Sequence, residues 1–293
     1  MTDSSLYDGR SPDDHVASCP DCGAAIALLD EPGAAIAPPP ALREAVLSQA
    51  RRRRPPAVIA VTLVAVPYAE QVALMDDLLA ELSGPQWAAP IAGHGTVKGL
   101  VEHLAANDAT VAGFLGVPGL RGAPPRRRWR EQAGALLERV SGGSEVLLGV
   151  EVALAGARPA RAPLRQAMVQ RTFETWTHAD DIRAATDRSK AAPRPEHTHL
   201  IAEFGLALLP RAMRGPRRDV SATIVLTGPG GGTWTIPLSP ASDHVGVLIS
   251  ADVVDFCRLL AGRWPPGFFP YAAEGDPTLA RDLIHAAATL GCD

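Results

Sequence analysis

No apolar run in this chain of 293 residues is long enough to span a bilayer. The apolar stretch 57–69 is broken by Pro67 and closed by Glu70, whereas a crossing helix needs about twenty residues. A secretory signal is not expected, because the first residues are polar and acidic and no apolar segment follows a basic start. Basic charge is not in surplus: 28 Lys and Arg against 32 Asp and Glu leave a net charge of -4. A dedicated nucleic-acid binder needs a basic face to neutralise phosphates, so that class is excluded. The runs Arg51 to Arg54 and Arg126 to Arg128 read as local solvated patches, the first within a linker. Cysteine is scarce, four in all, too few for a disulfide framework; a reducing cytoplasm fits better. The glycine-rich run Gly228 to Gly232 lacks a following Lys-Ser/Thr and leads into a strand, so it is a hairpin turn and not a phosphate loop. No repeat of solenoid period is visible.

What the chain does have is helical periodicity followed by a change of texture. A length of 293 residues predicts roughly two domains. Residues 31–40, ending in three prolines, read as a linker; 41–53 is a helix candidate stopped by Pro55 and Pro56. From Tyr68 to Leu82, Val72, Met75, Leu78, Leu79 and Leu82 recur at helical spacing, with Glu70, Asp76, Asp77 and Glu81 mainly on the other face. Further helices are predicted from a Thr96 cap to Leu115, over Arg128 to Val140 and over Arg165 to Thr186, which together suggest an antiparallel four-helix bundle. Beyond Pro193 the pattern predicts helix His197 to Met213 and strands Val220 to Thr227, Trp234 to Leu238 and Val245 to Ser250. Helices Ala251 to Arg263 and Thr278 to Leu290 complete a small α+β domain. The expected domains are 1–36, 37–66, 67–190 and 191–293.

Two clusters carry metal-ligand chemistry. Glu174 and His178, four positions apart in a stretch without internal Gly or Pro, lie on one helix face. They can chelate a divalent cation if another segment supplies a ligand, for which His103 is the best candidate. The same spacing also fits a solvated or internally paired couple. Near the N-terminus, His15, Cys19 and Cys22 have short-range zinc geometry: the Cys19-Pro20-Asp21-Cys22 turn brings two sulfurs to one point, and His15 reaches it from a helix opened by Asp13 or Asp14, or from that helix's last turns. A fourth zinc ligand is not evident, since 1–14 contains neither His nor Cys; Asp8 or Asp14 is available.

The segment from about Tyr68 onward resembles the mycothiol-dependent maleylpyruvate isomerase family, which has a DinB/YfiT-like metal-binding four-helix bundle and a smaller α+β domain. The resemblance rests on Trp87 to Pro90, Thr96 to Leu104, Glu174 to His178 and Asp181 to Arg183, with Leu226 to Trp234 and Asp252 to Leu260 in the later domain. It implies that His103, Glu174 and His178 are the three metal ligands and leave an open position that faces a low-molecular-weight thiol, mycothiol. It implies also that Asp181 and Arg183 stand behind the ligands or at the helix end; both equally fit an exposed ion pair. The first forty or so residues resemble the zinc-binding anti-sigma factors of bacteria through His15, Cys19 and Cys22, which implies a sigma factor as partner.

The fold class expected is therefore α+β and mainly helical, behind a short zinc finger. One functional reading is a regulator in which the finger clasps a sigma factor and the bundle reports thiol or metal state. The alternative is an isomerase or thiol transferase in which the bundle cation, zinc or another divalent metal, activates a thiol; a third is a metal-stabilised scaffold. Arg258 and Arg263 are possible carboxylate anchors, although helix-surface arginines fit as well. His94 precedes the Thr96 cap and is close enough in sequence to approach the site, though loop histidines are commonly solvated. His197, His199, His244 and His285 lack chelating spacing; Cys257 reads as a core thiol and Cys292 as an exposed one.

Overall fold

The computed structural model describes residues 11–30 and 62–291, without 156–159, 214, 216, 241 and 243, together with positions 42, 45, 46 and 49. The chain divides into one unit up to residue 57 and a second from 58 onward. Arg51 to Arg54, Asp8 and Cys292 lie outside the described residues, as does the predicted helix 41–53 except for four positions, which are helical.

In the first unit, helix α1 (Pro12–Ser18) opens on Ser11, whose side chain accepts a hydrogen bond from the Asp14 amide at 3.1 Å. Pro12 fits the first helical position, and Asp13 and Asp14 suit the positive end of the helix dipole. α1 ends at Cys19, and α2 (Pro20–Asp30) begins at once. The expected Cys-Pro-Asp-Cys turn is thus the opening turn of a helix, which Pro20 starts without losing a needed N–H.

The second unit is mainly helical with a small sheet, the α+β class expected. Its first core is a bundle of α3 (Val66–Ala80), α5 (Val97–Phe114), α6 (Pro125–Ser141) and α7 (Leu164–Ala185), with the short α4 (Gly84–Trp87) between the first two. Met75, Leu100, Leu104, Trp129, Leu136 and Met168 are buried together at its centre. The bundle is not antiparallel throughout. Arg128 at the start of α6 meets Glu102 at the start of α5 (3.5 Å), and Arg139 near the end of α6 donates to the Leu115 carbonyl at the end of α5 (3.1 Å). α5 and α6 therefore run parallel, and the connection 115–124 returns along the bundle's length. α3 opposes α6, since Asp76 late in α3 pairs with Arg126 in the first turn of α6 at 2.7 Å. α7 opposes α5, because its early Arg171 lies near Asp108 (3.6 Å) while its later His178 lies near His103.

Two small hairpins interrupt the helices: β1 (Pro90–Ile91) with β2 (Gly95–Thr96), and β3 (Glu151–Leu154) with β4 (Ala160–Pro163). After α7 come α8 (Pro195–Ala212), β5 (Ser221–Thr227), β6 (Gly232–Pro237), β7 (Val245–Asp252), α9 (Val253–Leu260), β8 (Ala272–Gly275) and α10 (Pro277–Ala287). The sheet order is β6-β5-β7-β8, with β5 and β7 parallel and the other neighbours antiparallel. Alternate residues Ala222, Ile224 and Leu226 of β5 and Val247, Ile249 and Ala251 of β7 face a second core shared with the helices. Phe173 and Trp176 of α7 belong to this second core, so α7 serves both layers. The β5–β6 turn requires glycine: Gly230 has φ +88, and a Cβ there would lie 2.2 Å from the Pro195 carbonyl oxygen. Among the described residues, no helix is long and apolar enough to cross a membrane.

Candidate metal centres

In the bundle, three imidazoles converge. His94, His103 and His178 each offer a ring nitrogen, and these atoms lie within 4.8 Å of one another. Ring centroids are 4.5 Å apart for His94 and His103, 5.1 Å for His94 and His178, and 5.4 Å for His103 and His178. His103 projects from the second turn of α5, a helix started by the Thr96 side chain, which accepts from the Gly99 amide at 3.2 Å. His178 projects from the last third of α7. His94 arrives differently, at the tip of the β1–β2 hairpin, between Gly93 (φ +79) and Gly95 (φ +74). Those left-handed conformations favour glycine and turn the chain sharply enough to aim His94 at the bundle. Gly99 completes the fit, because a Cβ at that position would stand 2.1 Å from the His94 carbonyl oxygen.

His178 is held from behind. Its Nδ1 donates to the Asp181 carboxylate at 3.0 Å, and Arg263, just beyond α9, pairs with the same carboxylate at 2.7 and 3.1 Å. Burial pushes the Asp181 carboxyl up, but the hydrogen bonds from His178 and Arg263 and their charges outweigh it and hold the pKa at about 2. Asp181 is thus an anion that fixes the His178 proton on Nδ1. The opposite nitrogen, Nε2, is buried with no hydrogen-bond partner. A buried, unpartnered imidazole nitrogen beside two further imidazoles, with a carboxylate behind it, is a donor set suited to a divalent cation. A cleft of about 590 Å³ lies on the side of Asp181 and Arg263, lined also by Ile91, Gly93, Ala185 and Gly262.

Of the trio expected from the sequence, the structure brings together His103 and His178 and sets Glu174 behind them. Glu174 is fully buried; one carboxylate oxygen pairs with Arg171 and the other accepts from the Asn107 side-chain amide at 3.0 Å. Asn107 also hydrogen-bonds His103 Nε2 at 2.9 Å. Glu174 and His178 do share a helix face, the Glu174 carboxylate pairs with the buried Arg171 guanidinium one turn earlier, and the ring nitrogens that converge with those of His103 and His178 are those of His94. Arg171, Asp108 and Tyr68 continue this buried network. Burial pushes Asp108 up while the Arg171 charge pulls it back, leaving a pKa of about 6. Burial works against the Arg171 charge, yet Glu174 and Asp108 outweigh it and raise its pKa.

The other expected partners separate. Asp181 backs a candidate ligand, whereas Arg183 turns to Asp180 at 3.4 Å. Arg258 and Arg263 are engaged with aspartates, Arg258 with Asp180 (3.2 Å) and Asp255 (3.3 Å), Arg263 with Asp181, so neither guanidinium stands as an uncommitted carboxylate anchor. His197 and His199 make other contacts, His197 with Gln71 (3.4 Å) and His199 with the Gly230 carbonyl (3.2 Å). Cys257 is buried, and desolvation drives its thiol pKa far up, an inert core thiol as read from the sequence. Sequence reasoning set His94 aside and passed over Asn107. The Gly93-His94-Gly95 turn and the four-residue step from His103 to Asn107 were the signals that could have found them.

In the first unit, His15, Cys19 and Cys22 place their ligand atoms within 4.8 Å of one another. His15 lies in the last turn of α1, and Cys22 Sγ is 3.5 Å from its Nε2. The Cys22 amide and thiol both point at the Cys19 sulfur and hold its pKa below the usual thiol value, while the same bond raises that of Cys22. Asp14, a proposed fourth ligand, instead accepts from the Ser11 hydroxyl at 2.8 Å, and the cluster has three members among the described residues.

No family model matches the chain, and no curated protein matches it. Two solved structures are similar: the mycothiol-dependent maleylpyruvate isomerase, at 16% identity and a TM-score of 0.47, and a histidine-to-alanine mutant of that isomerase, at 16% identity and a TM-score of 0.46. Each match covers 69% of this chain and 88% of the other.

Proposed function

We propose that the bundle holds one divalent cation through His94, His103 and His178 and uses it in the chemistry of a low-molecular-weight thiol. The observation that carries this reading is the convergence of ring nitrogens of His94, His103 and His178 within 4.8 Å of one another, with His178 Nε2 buried and without a hydrogen-bond partner. Three protein ligands leave coordination positions open, as catalytic sites do and closed structural sites do not. A bound cation lowers the pKa of a coordinated thiol and presents it as thiolate, the nucleophilic form. The chain's own residues do the rest: Asp181 and Arg263 fix the His178 ring, and the glycine turn carries His94. The stretches Thr96 to Leu104 and Glu174 to Arg183, which resemble mycothiol-dependent isomerases, favour mycothiol as the thiol and isomerisation or S-transfer as the reaction. Thiol-dependent turnover of an unsaturated acid, assayed with zinc-loaded chain and with His103→Ala, tests it; equal rates in both proteins contradict it.

A second reading belongs to the first unit, where the convergence of His15, Cys19 and Cys22 favours a zinc site that holds α1 and α2 together. Its resemblance to anti-sigma fingers makes a sigma factor the partner to test. Pull-down from reduced extract with and without Cys19→Ser and Cys22→Ser decides it; capture that ignores the substitutions, or none at all, rejects it.

A further inference from the structure

The donors of the first unit come from a single corner of the chain. His15 stands in the last turn of α1, Cys19 caps that helix and Cys22 lies in the first turn of α2, the outermost two being seven positions apart. Residues 1–57 hold no other histidine or cysteine. Among the described residues no carboxylate joins the three, and Asp14 is engaged with the Ser11 hydroxyl. A structural zinc site takes four protein donors, whereas three leave a position for a ligand from outside. His15, Cys19 and Cys22 are each half-buried, so solvent reaches the cluster.

We propose that an ion held by His15, Cys19 and Cys22 takes its fourth ligand from solution, as the thiolate of a low-molecular-weight thiol. The inference rests on the reading of this cluster as a zinc site. Two thiolates and an imidazole are a soft donor set, which selects zinc among the divalent cations of a cell and favours a further thiolate over a carboxylate or an alcohol. The thiol binds with loss of its proton to solvent. No disulfide forms, and neither an oxidant nor a reductant is consumed. The first unit thereby responds to the amount of free thiol, independently of any turnover in the bundle. A cysteine of a second copy offers the same chemistry, and the experiment separates the two sources.

The test uses the full chain carrying His178→Ala, checked for native circular dichroism and loaded with cobalt(II) without oxygen. The same chain with Cys19→Ser and Cys22→Ser added serves as the blank. The near-ultraviolet band from sulfur to cobalt counts the thiolates on the ion. Expected is a two-thiolate band that gains about half its intensity with 2-mercaptoethanol, three thiolates in place of two, and does not change with ethylene glycol. Native mass spectrometry of the zinc form should show one thiol retained per chain and released together with the ion by EDTA, as a mixed disulfide would not be. A band unchanged by the thiol means that the chain closes its own site, and overturns the proposal. A three-thiolate band before any thiol is added, from Cys292 or from a second copy, overturns it too. So does removal of the cobalt by the thiol, or an equal gain in the blank. Absence of any sulfur band before the thiol is added overturns the zinc site itself and with it this inference, while the histidine centre of the bundle stands or falls by its own assay.

Discussion

His178 and Asp181, three residues apart on α7, share a proton across 3.0 Å, with Nδ1 of the ring as donor and the carboxylate as acceptor. This contact leaves Nε2 as the ring's other nitrogen, buried without a hydrogen-bond partner, and Arg263 from beyond α9 keeps the carboxylate in place. The layer that follows the bundle therefore contributes to a site whose candidate ligands all belong to the bundle and its hairpin. Replacement of Asp181 by Ala should lower the affinity of the bundle for zinc about 10- to 100-fold, the usual cost of losing a carboxylate behind a ligating histidine. Competition with a chromophoric chelator measures it, and an affinity equal to wild type would remove Asp181 from the account.

Gly99 packs so closely under the His94 carbonyl that a methyl group has no room, the Cβ falling 2.1 Å from that oxygen. Gly99→Ala should push the hairpin off the first turn of α5, at a cost of about 1–3 kcal/mol typical of overpacking. Metal affinity should fall with it, because His94 is displaced. Urea denaturation and zinc titration check both effects; a stable variant with intact affinity would show that His94 is not held as described.

The buried network behind the centre predicts a pH effect in the metal-free chain. Asp108 has a folded pKa of about 6 against an ordinary value of 3.8, so the folded protein binds its proton more tightly than the unfolded chain does. A raised carboxyl pKa adds stability that is complete below about pH 4 and is lost as pH rises through 6. Wild type should accordingly lose stability relative to Asp108→Asn between those limits. Denaturation midpoints of the two proteins across that range measure it, and parallel curves would refute a proton held at Asp108.

His178 was singled out in the sequence by its four-residue spacing from Glu174, and His103 as the candidate from another segment; their ring centroids lie 5.4 Å apart. The diversion of Glu174 was not legible, since spacing along α7 cannot show that Arg171, one turn earlier, and Asn107, on another helix, compete for the carboxylate. His94 depends on a turn with left-handed glycines at both sides, a feature of backbone geometry and not of hydrophobic pattern. The α+β class and the main helices follow from periodicities of 3.6 and 2, but the parallel course of α5 and α6 depends on how the irregular connection 115–124 runs, and no periodicity encodes that. β8 was missed because every residue of it is exposed; it joins the sheet through backbone pairing with β7 and shows no alternating pattern.

The most direct measurement of the central claim is metal stoichiometry by mass spectrometry under native conditions, on the full chain and on His178→Ala and Cys19→Ser with Cys22→Ser. Two zinc ions are predicted for wild type, and one for each variant, with His94→Ala and His103→Ala weakening the same ion that His178→Ala removes. A bundle that carries no ion when the cysteines are replaced, or one that keeps its ion without His178, would contradict the account.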